Sequence, residues 1–324
     1  MLLTAGLIGA SLWEGRRNMP QGKDGDTMQT VQVSRWSQAA ASLLPPQQEV
    51  IGRVHSCYAR IINMRTPSGR LLTLQGEGLL QAPLGLTLAT DVEALGTCMP
   101  VGALVVQDIP TARRYPAALR LRCADALVWD GQVAAQPGLT PSMLAGRAHG
   151  LAAWLCRHTP RRGLTPLLLA LEHGPMSLSA ANAAAYAVLA PLCTGRQAFA
   201  VSTLLTLVRA LVGLGEGLTP SGDDFLVGLL AVLHVAGFLP CSAASPVHAQ
   251  FCQCIRQGTS QLSGEFLRCA FEGHFAEPLV RLVRALCAPA IDAWPAHAAT
   301  LAAVGHSSGV DAMVGIALGC RLLA

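Results

Sequence analysis

The chain has 324 residues, 52% of them hydrophobic and only 13% charged, which suits two domains with a large core and a surface partly covered by other subunits. Its net charge at pH 7 is +4, and its arginines form scattered pairs such as Arg161–Arg162, which favour a solvated surface over nucleic-acid binding. No apolar run predicts a membrane span, and the eleven cysteines form no disulfide or metal pattern, which favours a reducing cytoplasm.

The first part of the chain is predicted to be an extension followed by a β-rich domain. Residues 1–45 are expected to be poorly ordered apart from a short helix near Trp36–Leu44, which Pro45 and Pro46 end. Short apolar runs separated by turn signals then fill residues 46–135, and they favour a small barrel or a sandwich-like arrangement. The predicted strands are Val54–Asn63, Arg70–Gln75, Gly85–Ala89, Ala103–Gln107, Leu119–Cys123 and Ala126–Trp129, with Thr66–Gly69 as the turn of the first hairpin.

Residues 136–324 show only helical periodicity, so the predicted fold class is α+β, a β-rich region followed by a mainly α-helical domain. The predicted helices are Pro141–Arg157, Thr165–His173, Ser179–Leu192, Phe199–Leu214, Pro220–Val235, Val247–Cys269, Ala276–Cys287, Trp294–Ala303 and Ser308–Leu323. Two of them, Phe199–Leu214 and the apolar part of Pro220–Val235, are hydrophobic almost all round, which places them at the centre of the domain.

One loop of this domain combines glycines and polar residues directly before an apolar helix. Its sequence, GLGEGLTPSGDD at Gly213–Asp224, allows positive φ angles and close approach of a ligand to the main chain. Thr219 is a suitable N-cap, and the helix start offers amides and the positive end of the dipole to an anion. The predicted anion-binding residues here are Gly215, Gly217, Thr219, Ser221 and Gly222.

The two carboxylates of this loop, Asp223 and Asp224, lie in the first turn of the predicted helix, and two interpretations stay open. They can simply offset the positive end of the helix dipole. They can instead hold a divalent cation, Mg²⁺ or Mn²⁺, that bridges to a bound phosphate.

A second segment, Gly305–Gly315, repeats this pattern. When Ser308 is laid on Ser221, both segments read S-G-x-D-x-x-V-G, and each opens an apolar helix. Chance similarity of two helix starts is one explanation. The other is that both N-termini point into one polar pocket, where Asp224 and Asp311 form a pair of carboxylates for a cation or for proton transfer.

The paired-pocket hypothesis names further residues. His306 is placed to polarise a carbonyl or to carry a proton. Ser260 and Ser263 share a helical face with the pocket, or else bond to their own helix carbonyls. Asn63 either contacts the substrate or closes a strand into a turn. The candidate catalytic residues are Asp223, Asp224, His306 and Asp311; the candidate binding residues are Gly215, Gly217, Thr219, Ser221, Gly222, Ser307, Ser308, Gly309, Asn63 and Ser263; the candidate metal ligands are Asp223, Asp224 and Asp311.

Several common catalytic motifs are absent from the sequence. The glycine loop is not a P-loop, since no lysine follows it, and no strand–G-x-G-x-x-G–helix unit occurs. No G-x-S-x-G elbow is present either. These absences argue against a nucleotide-hydrolysing P-loop and a Rossmann cofactor site.

The two repeated loops carry a family resemblance. The run GLTPSGDDFLVG at Gly217–Gly228 resembles the signature of the AllH-type subunit family, and GHSSGVD at Gly305–Asp311 resembles its second signature. The segments Thr259–Leu267 and Arg60–Asn63 are similar as well. The resemblance extends over residues 50–324 and leaves the N-terminal segment unexplained.

The resemblance implies a subunit of oxamate carbamoyltransferase, acting in anaerobic allantoin breakdown. That enzyme would convert oxalurate and phosphate into oxamate and carbamoyl phosphate, together with FdrA-like and AllG-like subunits. Phosphorolysis of this kind needs an anion cradle and a group that polarises the carbonyl, which the two loops and His306 would supply. A non-catalytic assembly or regulatory subunit that binds a small anion is the alternative, and a stand-alone metal-dependent hydrolase is a third hypothesis.

Overall fold

The computed structural model describes residues 29–44, 48–109, 115, 118–175, 177–195, 198–239, 245–288 and 293–324. The described chain forms two compact units, divided between Gly131 and Gln132. The first unit is a β-barrel and the second is helical, which confirms the predicted α+β fold class. No described helix combines the length and the apolar character that crossing a membrane requires.

Seven strands close the barrel, and an eighth extends it. The strands are β1 (Gln29–Ser37), β2 (Val50–Tyr58), β3 (Ile61–Arg65), β4 (Leu71–Gly76), β5 (Gly85–Leu88), β6 (Leu104–Gln107), β7 (Leu119–Arg122) and β8 (Leu127–Trp129). Their order is β5-β4-β3-β2-β6-β7-β1-β8, and β1 closes the barrel because it pairs with β7 through its first half and with β5 through its second. Two short helices, α1 (Gln38–Ser42) and α2 (Val92–Cys98), connect strands.

The predicted hairpin and short helix are present, and two strand predictions are corrected. The predicted strand Val54–Asn63 is in fact β2 and β3, because the chain turns at Ala59 and Arg60 between them. Strand β1 was not predicted, and it lies in the segment assigned to a poorly ordered extension. Its only aliphatic residues are Val31 and Val33, so its alternation is short and easily missed. Residues 1–28 and the two prolines that were expected to end the helix lie outside the described residues.

Ten helices are described in the second unit. They are α3 (Pro141–His158), α4 (Thr165–His173), α5 (Ala180–Thr194), α6 (Val201–Leu211), α7 (Ser221–Val235), α8 (Pro246–Gly258), α9 (Gln261–Phe271), α10 (Glu277–Cys287), α11 (Trp294–Ala302) and α12 (Ser308–Leu323). The predicted helix Val247–Cys269 is wrong as a single element. It divides into α8 and α9 because Thr259 is extended and Ser260 caps α9.

Helices α7 and α12 form the core of the helical unit, and almost all of their residues are buried. They run in the same direction. The hydroxyls of Thr219 and Ser308 are hydrogen-bonded at their starts, and further along Gly319 packs against Leu229 and Val232. The N-terminal ends of both helices therefore lie side by side.

Two glycines set the distance between these helices. A Cβ atom on Gly228 would lie 1.9 Å from the carbonyl oxygen of Ala312, and one on Gly315 would lie 2.0 Å from that of Phe225. These four residues occupy equivalent positions of the two repeated segments. The helix pair therefore has an approximate two-fold symmetry, which brings equivalent residues together at both contacts.

We expect Gly228→Ala and Gly315→Ala each to destabilise the protein by about 1–3 kcal/mol or more, since backbone atoms of the opposite helix must move. Urea denaturation measures the free energy of unfolding. Gly146→Ala is the matched control, because Gly146 is an exposed glycine in α3 with nothing within 4 Å of an added Cβ. That control should gain about 0.5–1 kcal/mol from helix propensity. Equal stability of the Gly228 and Gly146 variants would contradict the close approach.

Candidate functional site

The loop that leads into α7 depends on three glycines. Gly213, Gly215 and Gly217 have φ angles of 76°, 110° and 98°, in the left-handed region where other residues are strained. Gly213 also lacks room, because an added Cβ would lie 2.0 Å from the carbonyl oxygen of Gly258. The path of the loop therefore explains these glycines, and anion binding by the exposed Gly215 and Gly217 stays a prediction.

Asp223 anchors this loop to the start of α9. It is 1% exposed, and its Oδ1 accepts a hydrogen bond from the Gly213 amide at 2.7 Å. Its Oδ2 accepts from the Ser263 hydroxyl at 2.6 Å and from the Thr259 hydroxyl. Both carboxylate oxygens thus accept hydrogen bonds from the protein, and a catalytic or binding role of Asp223 and Ser263 stays a prediction. The Ser263 hydroxyl bonds to Asp223 and not to a carbonyl of its own helix, so that alternative for Ser263 is wrong.

A third segment, the connection between α3 and α4, holds the start of α12. The guanidinium of Arg162 donates to the carbonyl oxygen of His306 at 3.1 Å. A Cβ on Gly163 would lie 2.0 Å from Asp311 Oδ1, and the Leu164 amide donates to the same oxygen at 2.6 Å. This connection therefore wraps around the Asp311 carboxyl group.

The side chains of the two repeated segments cross over between the helices. The Thr219 and Ser308 hydroxyls are 3.0 Å apart, and both interact with Asp224 of α7. Ser221, at the start of α7, interacts in turn with Asp311 of α12. Each helix start thus presents a serine hydroxyl to the aspartate of the other helix. The two segments share one location, as the repeat predicts.

Neither helix uses these hydroxyls as an N-cap. The N-cap residues are Pro220 and Ser307, and neither makes a side-chain capping bond. Thr219 was predicted to be the N-cap, but α7 begins two residues after it. Four other described helices of the helical unit, α3, α5, α8 and α9, have side-chain caps from Thr140, Ser179, Ser245 and Ser260. A side-chain N-cap contributes about 1 kcal/mol to helix stability. Helices α7 and α12 lack this contribution, because the hydroxyls at their starts contact carboxyl groups instead.

Asp224 and Asp311 are held in a desolvated environment. Burial raises the pKa of Asp311 from 3.8 to about 6, although the Leu164 amide, the hydroxyls of Ser221 and Ser307 and the charge of Arg162 lower it. Burial also raises the pKa of Asp224 well above 3.8, and the negative charge of Asp311 raises it further. The hydroxyl contacts leave Oδ2 of each carboxyl group shielded from solvent and without a hydrogen-bond partner among the described residues.

The amides at the helix starts are only partly available to an anion. Gly222 and Gly309 donate their N–H groups to carbonyls of the preceding loops, at 2.8 and 3.1 Å. An added Cβ on them would lie 2.0 and 1.7 Å from the carbonyl oxygens of Leu211 and Leu301, at the ends of α6 and α11. These glycines close the loops onto the helices, and anion binding by Gly222 and Gly309 stays a prediction. In the described chain, the amides of Ser221 and Ser308 have no backbone partner.

His306 and Ser307, neighbours in the second loop, lie in different surroundings. Ser307 belongs to the carboxyl cluster, since its hydroxyl interacts with Asp311. The His306 side chain is exposed, and it is the carbonyl of this residue that Arg162 binds. A role of the imidazole in polarising a carbonyl stays a prediction.

Asn63 belongs to the barrel, where it bridges three strands. It lies inside β3 and is 3% exposed, so it does not close that strand into a turn. Its Nδ2 donates to the Ser56 hydroxyl of β2 at 3.1 Å, and its Oδ1 accepts from the Thr73 hydroxyl of β4 at 3.4 Å. These bonds give Asn63 a structural role in the barrel.

Metal binding by the three aspartates stays a prediction. Across the described ranges, no group of three or more His, Cys, Asp or Glu side chains is placed to hold a metal ion. Asp223 is committed to protein hydrogen bonds, which leaves two of the three predicted ligands, Asp224 and Asp311, near one another.

Sequence reasoning missed the contribution of Arg162 and Leu164. The pair Arg161–Arg162 was interpreted as a solvated surface, which fits the exposed Arg161 but not Arg162. The link to Asp311 spans a large separation along the chain and carries no motif. The one local signal was Gly163, a glycine directly before an apolar helix.

The fold and the site define a class of protein: a closed β-barrel unit joined in one chain to a helical unit that pairs two serine–aspartate helix starts. The model of the AllH family N-terminal domain matches residues 31–128, and that of the oxamate carbamoyltransferase subunit AllH matches residues 211–320. The chain belongs to the AllH family. The second match includes both helix starts. No solved structure matches the chain.

Replacing the loop anchor should destabilise the helical unit. Asp223→Ala leaves the Gly213 amide and the Thr259 and Ser263 hydroxyls without their acceptor. Because hydrogen bonds to a charged group are strong, we expect a loss of at least about 3 kcal/mol in the free energy of unfolding. Glu216→Ala, in the exposed part of the same loop, is the control and should stay within about 0.5 kcal/mol of the wild type. A similar small effect for Asp223→Ala would contradict the anchoring role.

The buried Asp311 should make stability depend on pH. Its pKa is higher in the folded state, so its contribution is complete below about pH 4 and is lost as pH rises through about 6. A rise from 3.8 to about 6 corresponds to on the order of 3 kcal/mol. We therefore expect Asp311→Asn to gain that much relative to the wild type between about pH 4 and about pH 7. Urea unfolding of both proteins across this range tests it, and a pH-independent difference would refute it.

Proposed function

We propose that this chain is the subunit of oxamate carbamoyltransferase that carries the transfer site, where phosphate attacks the carbamoyl group of oxalurate to give oxamate and carbamoyl phosphate. Membership of the AllH family supports a subunit role in such an enzyme. The observation that carries the proposal is the crossed arrangement of Ser221 with Asp311 and of Ser308 with Asp224. It places hydroxyl and carboxyl groups at two adjacent helix starts.

The helix starts suit the phosphate substrate. Each helix places about half a positive charge at its N-terminus, and α7 and α12 present theirs side by side. The amides of Ser221 and Ser308 have no backbone partner in the described residues, and the hydroxyls of the same residues lie beside them. Arg162 adds a full positive charge close to Asp311. Together these groups favour a small anion at the exposed end of the helix pair.

Protein partners are part of the proposal. A subunit of this family acts with others, and a surface with only 13% charged residues in the chain suits burial against them. We propose FdrA-like and AllG-like subunits as those partners, and anaerobic allantoin breakdown in the cytoplasm as the setting. A divalent cation, Mg²⁺ or Mn²⁺, beside the phosphate is part of the proposal.

A non-catalytic role is the second candidate, and one observation favours it. Oδ2 of Asp224 and of Asp311 is shielded from solvent, and the Gly222 and Gly309 amides are already bonded. A closed site of this kind would suit a subunit that binds a small anion to regulate or assemble the complex. In that case the partner subunits would retain activity without this chain.

Assays of the reconstituted complex distinguish the two candidates. We expect Asp224→Ala to lower kcat by about 10²–10⁴-fold, the usual contribution of a proton-transferring group. His306→Ala tests the predicted polarising role, and Glu216→Ala controls for changes in the loop surface. Activity near that of the wild type in both the Asp224 and the His306 variants would remove these loops from catalysis. Phosphate should also raise the Tm of the isolated chain, and less so for Ser308→Ala.

A further inference from the structure

We propose that Ser260 and Arg162 are positioning residues for the starts of α7 and α12, each restraining the main chain just ahead of one of these helices. Ser260 is the N-cap of α9 and Arg162 lies in the connection between α3 and α4, so neither belongs to the repeated segments. They position the amides and hydroxyls of Ser221 and Ser308, whose use in binding phosphate rests on the proposed function. The restraint itself is a property of the isolated chain and can be measured there.

The Ser260 hydroxyl makes two hydrogen bonds, and one of them reaches the loop before α7. Its oxygen accepts from the Ser263 amide at 3.1 Å, which is an ordinary N-cap bond. It donates its own proton to the carbonyl oxygen of Leu218 at 2.7 Å. Leu218 directly precedes Thr219, whose hydroxyl lies 3.0 Å from that of Ser308. The bond therefore fixes the main chain one residue before the contact between the two helix starts.

The part of the loop that contains Leu218 depends on this bond. Gly215 and Gly217 precede it with positive φ angles, and glycine adds conformational freedom to the chain. Within the described chain, residues 215–219 make no backbone–backbone hydrogen bond. Asp223 bonds to the Gly213 amide, at the opposite end of the loop. Ser260 therefore restrains the half of the loop that leads directly into α7.

Arg162 restrains the second loop in a comparable way. Its Nε donates to the carbonyl oxygen of His306 at 3.1 Å, and its Nη2 donates to that of Ala302, the last residue of α11, also at 3.1 Å. The guanidinium is planar and presents its N–H groups in a fixed fork, so one side chain sets the positions of both carbonyls. The connection that carries Arg162 is held in turn, because Asn182 Nδ2 donates to the carbonyl oxygen of Gly163 at 3.0 Å.

Both restraints use main-chain carbonyl oxygens, so the groups that suit an anion stay available. The amides of Ser221 and Ser308 have no backbone partner among the described residues. An anion bound by two helix starts needs both sets of N–H groups directed at one point, and a displacement of about 1 Å in such a geometry is costly. Ser260 and Arg162 therefore act on binding through the positions of other groups, without touching the anion.

Amide hydrogen exchange of the isolated chain, followed by NMR in phosphate-free buffer, tests each restraint. The reporters are the amides of Gly222 and Gly309, which bond to carbonyls of the preceding loops. Ser260→Ala should speed exchange at Gly222 by about 3–10-fold, the contribution of one hydrogen bond, and leave Gly309 unchanged. Arg162→Ala should do the reverse. No change in either variant, or equal changes at both reporters, would overturn the proposal whether or not the chain binds phosphate.

Ser245→Ala separates the restraint from helix capping. Ser245 is the N-cap of α8, where its oxygen accepts from the His248 amide at 3.2 Å. Loss of this cap should lower the Tm by roughly 2–4 °C and leave exchange at Gly222 unchanged. Ser260→Thr keeps both hydrogen bonds of the hydroxyl and should behave as the wild type. The same exchange at Gly222 in Ser245→Ala and Ser260→Ala would reduce Ser260 to a cap and contradict the proposal.

Titration calorimetry with inorganic phosphate tests the purpose of the restraint. We expect Ser260→Ala and Arg162→Ala to weaken binding by about 10–100-fold, because misaligned amides lose hydrogen bonds to a charged ligand. Ser260→Thr should retain the wild-type affinity, whereas Arg162→Lys should not, since lysine keeps the charge but lacks the planar fork. Arg161→Ala, at an exposed neighbour, is the control and should bind as the wild type does.

Wild-type affinity in Ser260→Ala or in Arg162→Lys would contradict the positioning role. A wild-type chain that binds no phosphate would instead count against the proposed function and leave the exchange result standing.

Discussion

The close packing of α7 against α12 is the constraint on which the rest of the helical unit depends. Gly228 and Gly315 let the backbone of one helix touch that of the other, and this contact fixes the helices in parallel with their starts together. Parallel neighbours bring two positive dipole ends to one place, which is unfavourable unless negative charge is added there. The carboxylate of Asp311 supplies negative charge there, so packing and electrostatics converge on the same few residues.

The sequence predicted the parts of this arrangement that are local. The two-unit α+β organisation follows from a change in apolar periodicity, and the repeat around Ser221 and Ser308 was sufficient to predict that two helix starts lie together. The glycine loop was recognised for its backbone freedom, and its three positive φ angles agree. Each of these features is encoded by residues a few positions apart, where spacing and side-chain type carry the information.

What the sequence did not reveal depends on contacts between distant segments. Asp223 and Asp224 are adjacent and of the same type, yet one faces α9 and the other α12, and only the three-dimensional path of the loop decides which. The amide of Gly222 looked available to a ligand, but a loop carbonyl takes it. Arg162 reaches the carboxyl cluster from the connection between α3 and α4, which carries no recognisable motif. Two adjacent aspartates can therefore take different structural roles, and the local sequence does not show which of them takes which role.

The approximate two-fold symmetry of the helix pair bears on whether its two aspartates are equivalent. The two halves, each with a serine and an aspartate, are equivalent, so symmetry alone would place the two aspartates in the same surroundings. The segment around Arg162 and Leu164 belongs to neither repeat and contacts Asp311 of α12. The two aspartates therefore differ in their surroundings although the repeated motifs are alike. Substitutions in this one connecting segment would change that difference and leave both repeated motifs intact.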